Sequence, residues 1–422
     1  MFEVLDWERP ILRELAQRQA GYAALPVMAE REKMWKAVNT GRGGSRPPVV
    51  IEEWTFARDF MPESLHRCHS ELARKIEFEL LYALRSHELI GDDKVVSATF
   101  HIGWFTTLNE FGLEIPKDYV KDADGIVTGY RYHHPIKDLK EDFHKLMPAA
   151  ISVDRERTFS YKAFLEDLFG PDLPVEITCD GGGLPLFLTN RVIELMGMEA
   201  FFTSMFDYPD ETHALMEYLT GNALALMRFH EREGLLTPNN GNHQSFGSSF
   251  NFTDELPKKD WDGGPCRLKD MFLSTNSQET VGVSPAMFQE FCLPYYIRVC
   301  QPAGLIYYGC CEPASPFWET SISKLPNLKK VSISRWCDEA FMGDALRDTG
   351  IVYSRKPDPN FLSVDKTLDV GAWAEHIRAS LQAARGCQME IIIRDIYTLH
   401  GDIGNARRAV ETARREVDLA GF

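Results

Sequence analysis

The stretch Leu305–Ser315, LIYYGCCEPAS, determines how the rest of the chain is interpreted. Its apolar run ends at Gly309, and two thiols and a carboxylate follow at once as Cys310, Cys311 and Glu312. An apolar run that ends in reactive groups is typical of a buried strand that delivers side chains at its carboxyl end. Thiols in such a place are metal ligands, nucleophiles or packing groups, and the pattern leaves all three open.

Eight runs of this kind, separated by helical patterns, predict eight strands. These are Val49–Trp54, Val95–His101, Val175–Asp180, Met271–Ser277, Leu305–Gly309, Lys330–Ser334, Ile351–Ser354 and Glu390–Arg394. The runs are mostly continuous rather than alternating, which indicates strands that are buried on both faces, as in a parallel sheet. Eight strands interleaved with helices favour an α/β protein with a (β/α)₈ TIM barrel over an open doubly wound sheet. The glycine-rich runs have the spacing of neither a dinucleotide fingerprint nor a phosphate loop.

The barrel is predicted to carry two additions. Helical spacing in Arg9–Gln19 and Val27–Ala37 predicts a helical extension at residues 1–45, which leaves residues 46–422 for the barrel. The segment Thr237–Pro257 is rich in Gly, Ser and Asn. Long loops of this composition often gate sites, so it is predicted to be a mobile lid over the barrel mouth.

The composition of the 422 residues excludes several classes of protein. A net charge of −16 argues against binding nucleic acid through a generally basic surface. No apolar run approaches the roughly 20 residues needed to cross a bilayer, and the amino terminus lacks the pattern of a signal peptide. The nine cysteines are scattered and odd in number, which does not fit a secreted disulfide framework. The expected location is the cytoplasm.

Polar residues at the carboxyl ends of the predicted strands are the candidates for the active site. They are Trp54, His101, Asp180, Gln278, Glu279, Cys310, Cys311, Glu312, Trp336, Cys337, Asp338, Arg355, Lys356 and Asp395. Cys310, Cys311 and Cys337 follow two neighbouring strands, and zinc prefers thiolate ligands, so zinc is predicted here. The alternative is that these thiols only pack.

The other candidates each keep an alternative. His243 is a further metal ligand, a substrate-binding residue of the lid, or a loop histidine with neither role. Asp180 precedes three glycines that would let a substrate approach, or it stabilises a turn. Lys356 either binds an anionic substrate or pairs with Asp395. The remaining predicted substrate contacts are Gln278, Glu279 and Trp336.

From about Arg9 to its end, the chain resembles the uroporphyrinogen decarboxylase superfamily, which includes methyltransferases of cobalamin-dependent pathways. The resemblance rests on Asp180–Met216 (DGGGLPLFLTNRVIELMGMEAFFTSMFDYPDETHALM), on Val281–Tyr296 (VGVSPAMFQEFCLPYY), on the Cys310 motif and on the last strand with its closing helix. It implies a (β/α)₈ barrel. YGCCEP looks closest to a large methyltransferase-like branch of this superfamily.

Two departures from the superfamily narrow the function that the resemblance implies. Decarboxylases carry an arginine-rich segment after the first strand, where this chain has a lone Arg58, so tetrapyrrole decarboxylation is not expected. The zinc methyltransferases carry HxCG after strand five and a further cysteine after strand eight. Here Tyr308 replaces the histidine, Cys310 keeps the cysteine, and Asp395 lies near the place of the further cysteine.

The expected activity is therefore the transfer of a methyl group between a small methylated substrate and a cobalamin. The cobalamin would be carried by a separate corrinoid protein, because no cobalamin-binding module is recognised in the sequence. Demethylation of an aromatic methyl ether is one case, with Glu312 as proton donor and Asp180 and Asp395 as further catalytic residues. The alternatives are a decarboxylase or lyase whose substrate is held by Lys356 and Arg355, and a non-catalytic barrel. Whether the chain forms a homodimer is left open.

Overall fold

The computed structural model describes residues 2–41, 45–121, 127–179, 184, 186–245 and 247–422. Its strands are β1 (Val49–Ile51), β2 (Phe100–Ile102), β3 (Thr106–Asn109), β4 (Lys117–Lys121), β5 (Val127–Tyr132), β6 (Ala150–Val153), β7 (Val175–Ile177), β8 (Phe272–Thr275), β9 (Leu305–Tyr308), β10 (Leu328–Ile333), β11 (Val352–Arg355) and β12 (Gln388–Ile393). Each of the eight predicted strands overlaps one of these. The remaining four form two antiparallel pairs, β3 with β6 and β4 with β5, in the insertion between β2 and α6, whose bounds follow.

The helices lie mostly between the strands, as the sequence pattern predicts. They are α1 (Arg9–Ala23), α2 (Pro26–Asn39), α3 (Ala57–Phe60), α4 (Glu71–Arg85), α5 (Leu139–Asp142), α6 (Arg155–Phe169), α7 (Leu188–Met196), α8 (Met198–Asp207), α9 (Pro209–Arg232), α10 (Pro285–Phe291), α11 (Leu293–Cys300), α12 (Glu339–Leu346), α13 (Asn360–Ser363), α14 (Val370–Ala383) and α15 (Gly404–Ala420). None of the described helices is long and apolar enough to cross a membrane.

Six of the strands form one curled parallel sheet in the order β1-β12-β11-β10-β9-β8. The strands β2 and β7 pair with each other, also in parallel, as a separate sheet. The described residues thus show a half-barrel and a strand pair, and hydrogen bonds between the strands do not close a complete eight-stranded barrel. The helices α1, α4 and α6 pack with the β2–β7 pair in a hydrophobic cluster of its own.

Side chains, rather than neighbouring strands, satisfy the two edges of the six-stranded sheet. At β1, the carboxylates of Asp93 and Asp92 accept the backbone N–H groups of Val49 and Ile51 at 2.8 and 2.9 Å. At β8, the Asn239 side chain accepts the N–H of Phe272 at 2.8 Å and donates to its carbonyl at 2.7 Å. These bonds leave the edge groups paired although the sheet does not continue, which buried backbone groups require.

The outer face of the sheet is apolar. Val331 and Ile333 of β10 and Met389 and Ile391 of β12 lie in the main hydrophobic core together with residues of the surrounding helices. Burial of such side chains contributes about 1.5–3 kcal/mol each to the free energy of folding. The outer face therefore stabilises the packing of the sheet against the surrounding helices.

The inner face carries a polar layer on β10, β11 and β12 although it is equally buried. Ser332, Ser354 and Glu390 occupy matched positions on β10, β11 and β12 and are fully buried. One layer closer to the amino ends, Lys330 donates to the Glu390 carboxylate at 2.9 Å. Side chains on three neighbouring strands thus form a buried polar layer inside the curl of the sheet.

The segment Thr237–Pro257 does not form a lid, so that prediction is wrong. It packs against the inner face: Phe250 and Phe252 lie in one cluster with side chains of β1 and β12, and Lys330 donates to the Phe250 carbonyl at 2.9 Å. The Asn39 side chain at the end of α2 also holds the carbonyls of Phe250 and Phe252. The polar composition that suggested a mobile loop instead supplies hydrogen bonds to the buried layer.

Candidate active site

A sharp turn after β9 brings the two thiols together. Gly309 has a φ of 100°, in the region that favours glycine, and a Cβ atom there would lie 3.0 Å from the Ser332 Cβ. The Ser332 hydroxyl donates to the Cys310 carbonyl at 2.6 Å. As a result, the Cys310 and Cys311 sulfurs lie 3.4 Å apart on one side of the chain, where an extended chain would separate them.

The Glu312 carboxylate fastens this turn to its neighbour. It accepts the backbone N–H of Cys310 at 2.9 Å and that of Ser277, after β8, at 3.1 Å. Burial raises the pKa of Glu312. These contacts show that Glu312 positions the thiol loop, and its role as a proton donor stays a prediction.

The end of β12 delivers a guanidinium and a carboxylate to the thiols. Arg394 Nη1 lies 3.5 Å from the Cys310 sulfur, and its Nη2 lies 3.4 Å from Glu52 Oε2 at the end of β1. Asp395 has a φ of 61°, so the chain turns immediately after Arg394. Its Oδ2 lies 3.4 Å from the Cys311 sulfur. The predicted candidates Cys310, Cys311 and Asp395 are therefore brought together.

This arrangement makes the two thiols chemically different. The hydrogen bond from Cys311 lowers the pKa of Cys310, and the positive charge of Arg394 lowers it further. The hydrogen bond to Cys310, together with burial, raises the pKa of Cys311. Burial alone would lower the pKa of Arg394, but the negative charge of its neighbours raises it. The first thiol is favoured as a thiolate and the second as a thiol.

Two buried polar atoms in this cluster have hydrogen-bonding capacity left over. Arg394 Nε and Glu52 Oε1 make no hydrogen bond with the residues that the structure describes, although Asp395 Oδ1 forms an ion pair with Nε at 3.5 Å. The two residues are only 5% and 1% exposed. A donor and an acceptor left unpaired in a buried place are costly unless a ligand completes them. The cluster of Cys310, Cys311, Arg394, Asp395 and Glu52, called the thiol–guanidinium site below, therefore has the character of a binding site.

Lys356, at the end of β11, lies within the polar layer of the inner face. Its Nζ donates to the hydroxyls of Tyr307 and Ser354, rather than to Asp395 as one of the two predictions had it. Burial lowers the pKa of Lys356 to about 7, and the charge of Arg394 contributes. An amine of this kind can give or take a proton near neutral pH.

Zinc does not fit the described part of this site. No three His, Cys, Asp or Glu side chains among the described residues are arranged to hold a metal ion. The Cys310 sulfur is already in contact with the Arg394 guanidinium, and a fixed cation there opposes the approach of a second one. Zinc sites need three or four such ligands.

Two further sequence candidates, Cys337 and His243, make contacts of their own. The Cys337 sulfur accepts the Ala314 N–H at 3.2 Å within the main hydrophobic core. The ring of His243 stacks on His101, with 5.5 Å between centroids. Asp180 is outside the described residues. The roles predicted for all of these remain predictions.

Four further candidates are Gln278, Glu279, Trp336 and Arg355. Glu279, next to the half-buried Gln278, accepts the Thr189 hydroxyl at 2.8 Å. Trp336 is 64% exposed. Arg355 pairs with Glu339 and donates to Ser380 at 2.9 Å on the outer face. The alternative in which Arg355 binds a substrate carboxylate is therefore wrong, because that guanidinium is used to hold helices.

Sequence reasoning missed Arg394, Glu52, Lys330 and Tyr307 as site residues. A usable signal was present, because side chains two apart on a strand share a face. Glu390 and Arg394 lie on the same side of β12 and its continuation, as Lys330 and Ser332 do on β10. The apolar runs place these charged residues in strands, but a continuous run does not indicate which face each charge occupies.

The fold is similar to that of a methyltransferase from Methanosarcina mazei, with a TM-score of 0.51 over 92% of this chain and 98% of that chain. The two sequences are 13% identical, so this likeness concerns the fold alone. No protein-family model matches the chain, and no curated protein matches it.

Proposed function

We propose that this protein is an enzyme that transfers a methyl group between a small methylated substrate, such as a methyl ether, and a cobalamin carried by a corrinoid protein. The observation that supports this proposal best is the thiol–guanidinium site, in which Arg394 Nε and Glu52 Oε1 make no hydrogen bond with the described residues, on a fold like that of a methyltransferase. The proposal includes a complete (β/α)₈ barrel of the uroporphyrinogen decarboxylase-like kind, with β2 and β7 completing the strand layer.

Methyl transfer requires a positive charge or a proton beside the leaving atom. When the bond from carbon to oxygen, nitrogen or sulfur breaks, the electron pair stays on the heteroatom, which must be neutralised by a charge or a proton. The cobalamin supplies only the acceptor or donor of the methyl group. Arg394 supplies a permanent charge, and Lys356, with a pKa of about 7, supplies a proton at neutral pH.

The substrate is proposed to complete the unpaired groups of the site. A heteroatom with a lone pair would accept from Arg394 Nε, and a hydroxyl or amine on the same molecule would donate to Glu52 Oε1. Because both residues are almost fully buried, water is largely excluded there, and each contact counts for more than it would in solvent. Cys310 places negative charge on the other side of the guanidinium and holds it in position.

The assay that tests this proposal follows the formation of methylcobalamin from cob(I)alamin by its absorption spectrum. Donors with a methyl group on oxygen, nitrogen and sulfur are supplied in turn. We expect methyl transfer from at least one class of donor. The variant Arg394→Met loses one preorganised charge, which should lower kcat by roughly 10²-fold or more. The matched control is Arg298→Met, which removes a guanidinium from an exposed ion pair with Glu217 and leaves kcat unchanged.

Elemental analysis of the same preparations separates the guanidinium from zinc. We expect far less than one zinc per chain in the active protein, and Cys310→Ser to lower activity without a change in metal content. If the protein instead contains one zinc per chain, and Cys310→Ser removes it, then Arg394 is not the source of the positive charge beside the leaving atom. Absence of transfer from every donor class, with the corrinoid protein present, would contradict the proposed function itself.

A further inference from the structure

Cys310 and Cys311 are adjacent in sequence and also adjacent in space, which adjacent residues of an extended strand are not. The turn at Gly309 places their sulfurs 3.4 Å apart, and no covalent bond joins them. None of the other seven cysteines forms a disulfide either, and six of them are buried along with Cys310: Cys68, Cys266, Cys292, Cys300, Cys337 and Cys387. Cys311 is half-buried, so this pair can be reached from solvent.

The surroundings assign different roles to the two sulfurs. The Arg394 guanidinium lies 3.5 Å from the Cys310 sulfur and favours its attack as a thiolate. The Cys311 sulfur also lies 3.4 Å from Asp395 Oδ2, so a carboxylate is in place to accept its proton. One sulfur is set up to attack and the other to resolve, as in sites where a reactive thiol lies beside a resolving cysteine.

We propose that Cys310 and Cys311 form a reversible dithiol–disulfide site that is oxidised by hydrogen peroxide. This inference does not rest on the proposed methyl transfer. A small oxidant is required because Cys310 is only 3% exposed. Methyl chemistry does not need the second thiol, whereas oxidation to a disulfide does.

The reaction balances in two steps. The Cys310 thiolate attacks one peroxide oxygen, the O–O bond breaks, and the other oxygen leaves as hydroxide and takes up a proton to become water. Cys310 is then a sulfenic acid. The Cys311 sulfur gives its proton to Asp395 and attacks the Cys310 sulfur, the S–O bond breaks, and a second water leaves with that proton. Two thiols and one peroxide thus become one disulfide and two waters.

The product is expected to be easily reduced. Neighbouring Cα atoms across a trans peptide lie about 3.8 Å apart, which is below the usual range for a disulfide. Strained disulfides are the labile ones. Dithiothreitol should therefore restore both thiols, as a reversible site requires.

The test uses the full chain, limiting hydrogen peroxide and mass spectrometry of its peptides. We expect the peptide that contains Cys310 and Cys311 to lose two hydrogens, several-fold faster than Cys179 is oxidised, and to regain them with dithiothreitol. Cys179 is a matched internal control because it is also half-buried and also follows a strand. Its own variant, Cys179→Ser, should leave the rate at the dithiol unchanged.

Two variants separate the roles of the thiols. In Cys311→Ser, a sulfenic acid should accumulate on Cys310, because nothing resolves it, and be trapped when the oxidised chain is unfolded in urea that contains dimedone. In Cys310→Ser, oxidation of Cys311 should be no faster than that of Cys179. If the wild-type peptide forms no disulfide, or is oxidised no faster than Cys179, the proposal is overturned, and these outcomes leave the methyl-transfer assay untouched.

Discussion

The two faces of the six-stranded sheet are buried to the same degree but made of different chemistry. Ile391 on the outer face of β12 and Glu390 on its inner face are neighbours in sequence, and both are fully buried. The first packs among apolar side chains, and the second accepts hydrogen bonds from Lys330 and Ser354. Burial therefore does not distinguish the core from the site in this protein. The polarity of alternate residues does.

The difference implies different energetics. Apolar burial on the outer face is favourable by itself. On the inner face, each charge must lose its hydration, and the cost is offset only while its partner is present. The Lys330–Glu390 pair is fully buried on both sides, and the Lys330 Nζ has two further acceptors, the Ser249 hydroxyl and the Phe250 carbonyl. The inner face is therefore the part of the sheet most sensitive to the loss of one polar group.

The largest expected effect comes from breaking this pair on one side. Lys330→Met should lower the free energy of unfolding by about 3–5 kcal/mol, because the Glu390 carboxylate is left buried without its main cation. Urea unfolding at pH 7, followed by circular dichroism, measures the change. The double variant with Glu390→Leu should recover most of the loss, since it removes the stranded charge.

A surface pair is the control for this comparison. Arg298 and Glu217 pair with side chains that are 44% and 56% exposed. Arg298→Met should cost no more than about 1 kcal/mol. Equal losses for Arg298→Met and Lys330→Met would show that burial of the inner pair has no special cost, and the contrast between the faces would be wrong.

The next effect concerns the outer face. Ile391→Ala should lower the free energy of unfolding by about 3 kcal/mol, because it leaves a cavity between the sheet and its helices. Ile391→Val, which removes a single methylene, should cost about 1 kcal/mol. Unlike Lys330→Met, neither variant should be rescued by any second change on the inner face. Such a rescue would indicate that the two faces are coupled.

The sequence predicted more of the fold than of the site. Continuous apolar runs located all eight strands of the main and paired sheets, because strands buried on both faces are visible as such in one dimension. Closure of the barrel could not be predicted in the same way. The sheet stays open because the side chains of Asp92, Asp93 and Asn239 accept the backbone N–H groups of its edge strands. These side chains lie in loops, which have no periodic pattern.

For the site, the sequence located the thiols and Asp395 but not the cation between them. Cys310 directly follows an apolar run and so stands out as a candidate, whereas Arg394 is the last residue of such a run and does not. The lid prediction failed for a related reason. Composition distinguishes polar from apolar segments, but it does not show whether polar groups face solvent or a buried lysine such as Lys330.

The last expected effect is a slope in the pH dependence of stability, and it tests whether the inner face holds a neutral amine. Burial lowers the pKa of Lys356 to about 7, while an amine in the unfolded chain has a pKa near 10.4. Between these values the unfolded state binds a proton that the folded state lacks, so stability rises with pH through this window. The slope from one such group is at most about 1.4 kcal/mol per pH unit.

Lys356→Met removes this contribution. The free energy of unfolding of the wild type, minus that of the variant, should therefore be flat below pH 7 and increase between pH 7 and 10. Urea unfolding at half-unit pH steps measures this difference. The control is Lys324→Met, at an exposed position, for which the difference should stay flat throughout. If the difference in the free energy of unfolding is flat for Lys356→Met as well, Lys356 keeps its proton in the folded protein. Lys356 would then not be the proton donor of the site.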